Sequence, residues 1–268
     1  MFYIKSALKY IIKNFGYLFL FTLIPAIGLT FTADKSAYFN FMNDIIHYKS
    51  YNFFQVYSDF SLIVTKFTLL RILVLIAIVF ITAILLSIIE KHLRIGRLNF
   101  RNNFSRINEN IISVLLIGAV LVIIVEAWAA LLSAILMFLN MLFSGITLYF
   151  ICYFFILSGY AGLFAIIPYL ALWICCRNIT GYSFYDAFMY SINLLSGKLK
   201  RIYFAFVLPI LIFVSVILIT DNFADKLTVV FVYIQNQLYY MYYLVLAFIV
   251  YFDLDKLERK DNVNIFLK

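Results

Sequence analysis

Charge is scarce in this sequence: Asp, Glu, Lys and Arg make up 13% of its 268 residues, while 66% are hydrophobic. A soluble domain carries about 25% charged and about 45–50% apolar residues, so the scarcity excludes a sizeable water-soluble domain. Cysteine is rarer still, at three residues. Cys152, Cys175 and Cys176 lie inside apolar runs, and neighbours such as Cys175 and Cys176 are poorly placed to bridge, so no disulfide framework is implied. The two histidines, His47 and His92, stand alone on different segments, whereas a zinc centre needs Cys and His clustered at ligand spacing. No metal and no cofactor is expected. Carboxylates paired with each other or with histidine at helical spacing are also missing, since Glu90 and His92 are two apart and face different sides of a helix. There is no HExxH, no GxSxG and no phosphate-cradling glycine loop. The chain is therefore read as a non-enzyme.

What it does have is apolar runs long enough to cross a hydrocarbon core of about 30 Å as helices. Clear spans occupy Phe15–Thr32, Phe67–Ile89, Ile202–Thr220 and Thr228–Phe252. Between Ile111 and Cys176 the only charge is Glu126, and that length would make about 99 Å of helix at 1.5 Å per residue. Two long helices or three short ones fit, and positive charge decides between them. Two helices turning near Asn140 to Gly145 put the N-terminus, 90–110, 177–201 and the C-terminal tail on one side, which places 16 of 21 Lys and Arg there. The other side holds Lys35, Lys49, Lys66, Arg71 and Lys226. Cytoplasmic loops carry the excess of Lys and Arg, so the expected architecture is an all-α integral membrane bundle of six transmembrane helices with both termini cytoplasmic. The formal net charge of +8 then reflects contact with an anionic leaflet rather than with nucleic acid. Lys5, Lys9 and Lys13 before the first run resemble a signal peptide, but the run exceeds a usual h-region and Phe31 with Ala33 makes a poor cleavage site. The first span is expected to stay.

The segment 33–66 alternates aromatic residues such as Tyr38, Phe41, Phe53, Tyr57 and Phe60 with Asp34, His47 and Asp59. It is expected on the outer leaflet, either facing the membrane or capping the helix ends. The surplus length at 132–150 is expected to become tilt, an extension beyond the outer surface or an interfacial piece. On the inner side two segments look alike. Gly96-Arg97-Leu98-Asn99-Phe100 runs on through Arg101, Phe104, Arg106 and Ile107, and Gly181-Tyr182-Ser183-Phe184 runs on through Asp186, Phe188 and Ile192. Asn99 and Ser183 suit helix N-caps, and Ser183 with Asp186 gives a start like a capping box. Each segment then predicts a short cytoplasmic amphipathic helix. With a weaker copy at Ala7–Asn14, one membrane domain over 1–268 divides into three pseudo-repeats, 1–95, 96–180 and 181–252, followed by a cytoplasmic tail at 253–268. These motifs resemble those of bacterial six-helix polytopic membrane families, such as the membrane domain associated with glycerophosphodiester phosphodiesterases. The resemblance implies a bacterial cytoplasmic membrane location, and because the phosphodiesterase domain is absent it implies no hydrolase activity.

An ionisable residue in a membrane span is a functional candidate, and Glu126 is the one well inside an apolar run. Its position about 22 Å along a helix starting near Ile111 favours a structural or interfacial role, with Trp128 as an interfacial anchor, over proton or substrate coupling. Pro25, Pro168 and Pro209 fall inside spans and mark helix kinks. The candidate surface for membrane lipids or a protein partner comprises Phe100, Arg101, Phe104, Arg106, Phe184, Phe188, Lys198, Lys200 and Arg201. Engagement of lipid or a partner through basic amphipathic helices is the leading functional reading. The alternative is a transport protein, such as the permease subunit of an exporter that docks an ATPase subunit on a cytoplasmic helix. With the native cysteines removed, a cysteine at Ser196 is expected to react with an impermeant thiol reagent from the cytoplasmic side only. Labelling from outside intact cells contradicts the topology.

Overall fold

The computed structural model describes residues 2–32, 52–64, 67–96, 104–220 and 225–261, with side chains described except at 104–109, 157, 210–220 and 225–228. These residues form nine helices and no strand. They are α1 (Phe2–Lys13), α2 (Phe15–Thr32), α3 (Phe53–Phe60), α4 (Thr68–Ile95), α5 (Phe104–Leu142), α6 (Gly145–Thr180), α7 (Phe184–Leu195), α8 (Leu199–Thr220) and α9 (Asp225–Leu254). Five are long and apolar enough to cross a membrane: α2, α4, Asn110–Leu142 within α5, α6, and Val229–Leu254 within α9. The helices suit lipid, because a helix satisfies its backbone hydrogen bonds internally.

Left-handed glycines close two of these helices. Gly96 (φ 78°) donates its N–H to the His92 carbonyl, and Gly181 (φ 71°) donates to that of Arg177, the arrangement that ends a helix without steric penalty. Both glycines open the two similar segments of the sequence. Beyond Gly181 a separate amphipathic helix follows, with Ala187, Ser191 and Leu195 of α7 buried. In the middle unit the expected short helix is not separate, because the helix entered at Phe104 runs unbroken into the long α5. Asn99, Phe100 and Arg101 lie outside the described residues, as do the side chains of Phe104 and Arg106. The stretch 132–150 is a helical hairpin of α5 and α6 turning at Phe143 and Ser144.

The main core is organised around α9. Met241 and the run Val245–Phe252 are buried, and α1, α2, α4, α6 and α8 all pack against this helix. A second, smaller core forms where Val56 and Phe60 of α3 meet Ala129, Leu132 and Leu136 of α5 and Leu148, Cys152 and Ile156 of α6. The described part of segment 33–66 is thus a cap seated on the hairpin. Tyr38 and Phe41 lie outside the described residues. Within the hairpin the helices touch closely at Gly159, where a Cβ would lie 2.6 Å from the Trp128 ring. Trp128 therefore packs against Gly159 within the hairpin.

All three prolines are buried within helices that continue through them. Pro209 has no N–H, so the carbonyl of Ala205, four residues earlier, has no helical donor. The Tyr242 hydroxyl donates to that carbonyl at 2.8 Å, and Tyr243 does the same for Phe206 at 2.8 Å. Just before Pro25, Gln237 donates to the Phe19 carbonyl at 2.8 Å and to Thr22 Oγ1 at 2.9 Å. Replacing Tyr242 by Phe is expected to lower stability in detergent by about 1 kcal/mol, within the range measured for hydrogen bonds between membrane helices. Combined with Pro209→Ala, which restores the helical donor, the same change is expected to cost much less.

Candidate functional site

Three features stand out: a basic end, a carboxylate clasp and a cavity. At the basic end, α1, the last turn of α4, α7, the start of α8 and residues 253–261 converge. Tyr3 of α1 donates to Asp253 Oδ2 at 2.6 Å, and Arg201 of α8 lies 5.5 Å from the centre of the Tyr3 ring. Burial, reinforced by the Asp253 carboxylate, pushes the Tyr3 phenol up to about 12, so it remains a neutral donor at ordinary pH. Tyr10 shares hydrogen bonds with His92 Nδ1 at 2.7 Å and with Tyr17 at 2.9 Å. Lys13 donates to the Asp261 carbonyl at 3.1 Å, and Arg259 holds the Asp261 carboxylate with two nitrogens. The tail also presses on Gly96, where a Cβ would stand 2.9 Å from the Lys260 carbonyl. Glycine is required there for space as well as for its φ.

Ser183 caps α7, accepting from the Asp186 N–H while its hydroxyl donates to the Asp186 carboxylate. Phe184 and Phe188 turn inward onto Trp173, with ring centres 4.4 and 4.7 Å away, and Arg177 lies over Phe184 at 5.8 Å. These two rings fasten α7 to α6. Lys198, Lys200 and Arg201 are exposed, as are Lys5 and Lys9 of α1, so the lysines surround the junction of α1, α8 and α9 with their charge in solvent or headgroup reach.

Glu126 is half-buried at the other end. Its Oε1 accepts from the N–H groups of Leu62 and Ile63 at 2.9 and 2.8 Å, and its Oε2 accepts from the hydroxyls of Tyr57 at 2.5 Å and Ser61 at 2.8 Å. The carboxylate is thus met by protein donors at the point where α3 ends. The adjoining Arg71 donates to the Leu62 carbonyl at 3.2 Å and to Thr32 Oγ1 at 2.7 Å, which ties the same turn to α2 and α4. This is the geometry of a staple between cap and bundle. The sequence placed Glu126 about 22 Å along a helix starting near Ile111, but its partners lie more than sixty residues away and left no local signal.

The cavity, about 340 Å³, lies among α2, α4, α6 and α9 and is lined in part by Thr82, Asn236, Tyr239, Tyr240, Tyr243 and Ala247. The sequence reading overlooked these residues. The visible signal was the amide triplet Gln235-Asn236-Gln237 and the tyrosines after it inside an otherwise apolar span. Among the described residues no group of three or more His, Cys, Asp or Glu is placed to hold a metal ion. Comparison with protein-family models, with curated proteins and with solved structures gives no match.

Replacing Glu126 by Gln is expected to have a mild effect, because the amide oxygen can keep both backbone donors while the hydroxyls of Tyr57 and Ser61 rotate to accept from its nitrogen. Replacing it by Leu leaves those donors unmet, at about 1–3 kcal/mol for each one that stays buried. Faster hydrogen exchange at 56–64 in the Leu variant, with the α9 amides unchanged, is the expected outcome.

Proposed function

We propose that the protein is a non-catalytic multi-pass protein of the bacterial cytoplasmic membrane that engages anionic lipid through its basic end. Six helices cross in this reading. Parity supports the number, since α1 and residues 253–261 meet at one end of the bundle and two such segments can share a side only after an even number of crossings. The 22-residue α8 supplies the crossing beyond the five of sufficient length and hydropathy. The basic segments 90–96, 196–201 and 253–261 gather with α1 at that end, which the positive-inside rule assigns to the cytoplasm. The pseudo-repeat is supported by the matched glycine caps at Gly96 and Gly181 and by the parallel succession of a short helix and longer ones in α1–α2–α4 and α7–α8–α9.

The observation that carries the reading is the exposure of Lys5, Lys9, Lys198 and Lys200 around one junction while the aromatic residues beside them are used in packing. Charges left out of the core serve contact rather than folding. A basic residue near an anionic surface contributes about 1 kcal/mol, so four together set a strong headgroup preference. Protein extracted in mild detergent is expected to retain anionic phospholipid over zwitterionic phospholipid. Replacing the four lysines by Gln is expected to remove most of that preference without lowering thermal stability. Equal retention by the two proteins contradicts the reading, and retention of a cytoplasmic protein in place of lipid would make the surface a partner site.

A further inference from the structure

The cavity beside α9 is unusual for what its polar residues do. Three tyrosines stand in its wall, yet each hydroxyl is committed elsewhere: Tyr239 donates to the Pro209 carbonyl, Tyr243 to that of Phe206 at 2.8 Å, and Tyr240 to that of Ile78 at 3.2 Å besides its bond with Thr82. Asn236 donates to Thr30 at 3.0 Å. The wall is consequently almost all carbon, and no charged residue lines it. Water in a cavity needs two to four polar partners, so water is poorly held here. A charged solute would lose its hydration without compensation. The cavity is not sealed, since Tyr239, Tyr243, Leu244 and Ala171 in its lining are only half-buried, and all its walls belong to helices fit to span a membrane.

We propose that this cavity is a binding site for one hydrocarbon chain drawn from the membrane, seated along the tyrosine ring faces and Ala247. A volume of about 340 Å³ left empty would forfeit the dispersion contacts of every side chain facing it. The surrounding bilayer supplies a filling of matching chemistry, and with no cation in the wall the headgroup of the bound molecule stays outside. The site is separate from the basic end, and substitution of the lysines there is expected to leave it unaltered.

The test uses the full chain in phosphatidylcholine vesicles that contain a phospholipid with a photoreactive diazirine in mid-chain. After irradiation, adducts are expected on Tyr239, Tyr243 or Leu244. Ala247→Phe fills the cavity and is expected to reduce those adducts several-fold, while adducts on the exposed Leu20 and Ile24 of α2 are unchanged. Ala171→Leu, a smaller filling on the opposite wall, gives the same reading if Ala247→Phe fails to fold. A second arm adds excess unlabelled fatty acid. Loss of α9 adducts in that arm identifies a free fatty acid as the occupant, and their persistence identifies the tail of a bilayer lipid. Absence of α9 adducts in the wild-type protein, or equal adducts in the filled variants, overturns the proposal.

Discussion

In hydrocarbon a polar group has no water to fall back on, and the placement of α9 follows from that. Gln235, Asn236, Gln237 and a series of tyrosines would be costly on a lipid-facing helix. At the centre of the bundle most of these donors reach a neighbour: Tyr242 the Ala205 carbonyl of α8, Gln237 the Phe19 carbonyl of α2, and Tyr240 the Ile78 carbonyl of α4. Pro209 and the polar helix are complementary. Pro209 leaves the Ala205 carbonyl without a helical donor, and Tyr242 of α9 carries the hydroxyl that satisfies it. The most polar span is thus the most deeply buried one, and the apolar spans face outward around it.

That inversion explains how much of the fold could be read from the chain. Apolar runs, glycine caps and the distribution of lysine and arginine are local signals, and they located α2, α4 and α6, the hairpin of α5 and α6, and the helix after Ser183. The role of α9 depends on partners up to 218 residues away, and its amides look like blemishes in an apolar run until those partners are known. Phe184 and Phe188 show the same limit. Their spacing identifies an apolar stripe, but whether that stripe meets lipid or Trp173 depends on how α6 passes beneath it.

The end of the bundle opposite the basic one is built on a different plan. There the turn after α3 is joined to α2, α4 and α5 through carboxylate and guanidinium bonds at Glu126 and Arg71. From Glu126 the α5 helix continues for about 24 Å of axis to its end at Leu142, carrying exposed Phe138 and Met141. The cap covers one side of that extension with Val56 and Phe60, so the staple holds an amphipathic helix where the hairpin has apolar surface to spare.

The joints at the basic end also impose an order of assembly. Tyr3 and Asp253 are 250 positions apart, and Lys13 and Asp261 are 248 apart. During translation α1 therefore emerges long before the segment that receives it, and chain closure over such a separation is slow and entropically demanding. Until α9 and the residues after it are made, the apolar face of α1, with Tyr3, Ala7, Tyr10 and Ile11, has only the membrane surface to lie on besides Tyr17 and His92, which Tyr10 reaches. Its lysines on the opposite face suit that temporary berth, so the helix can wait at the interface and be drawn into the bundle as the last act of folding.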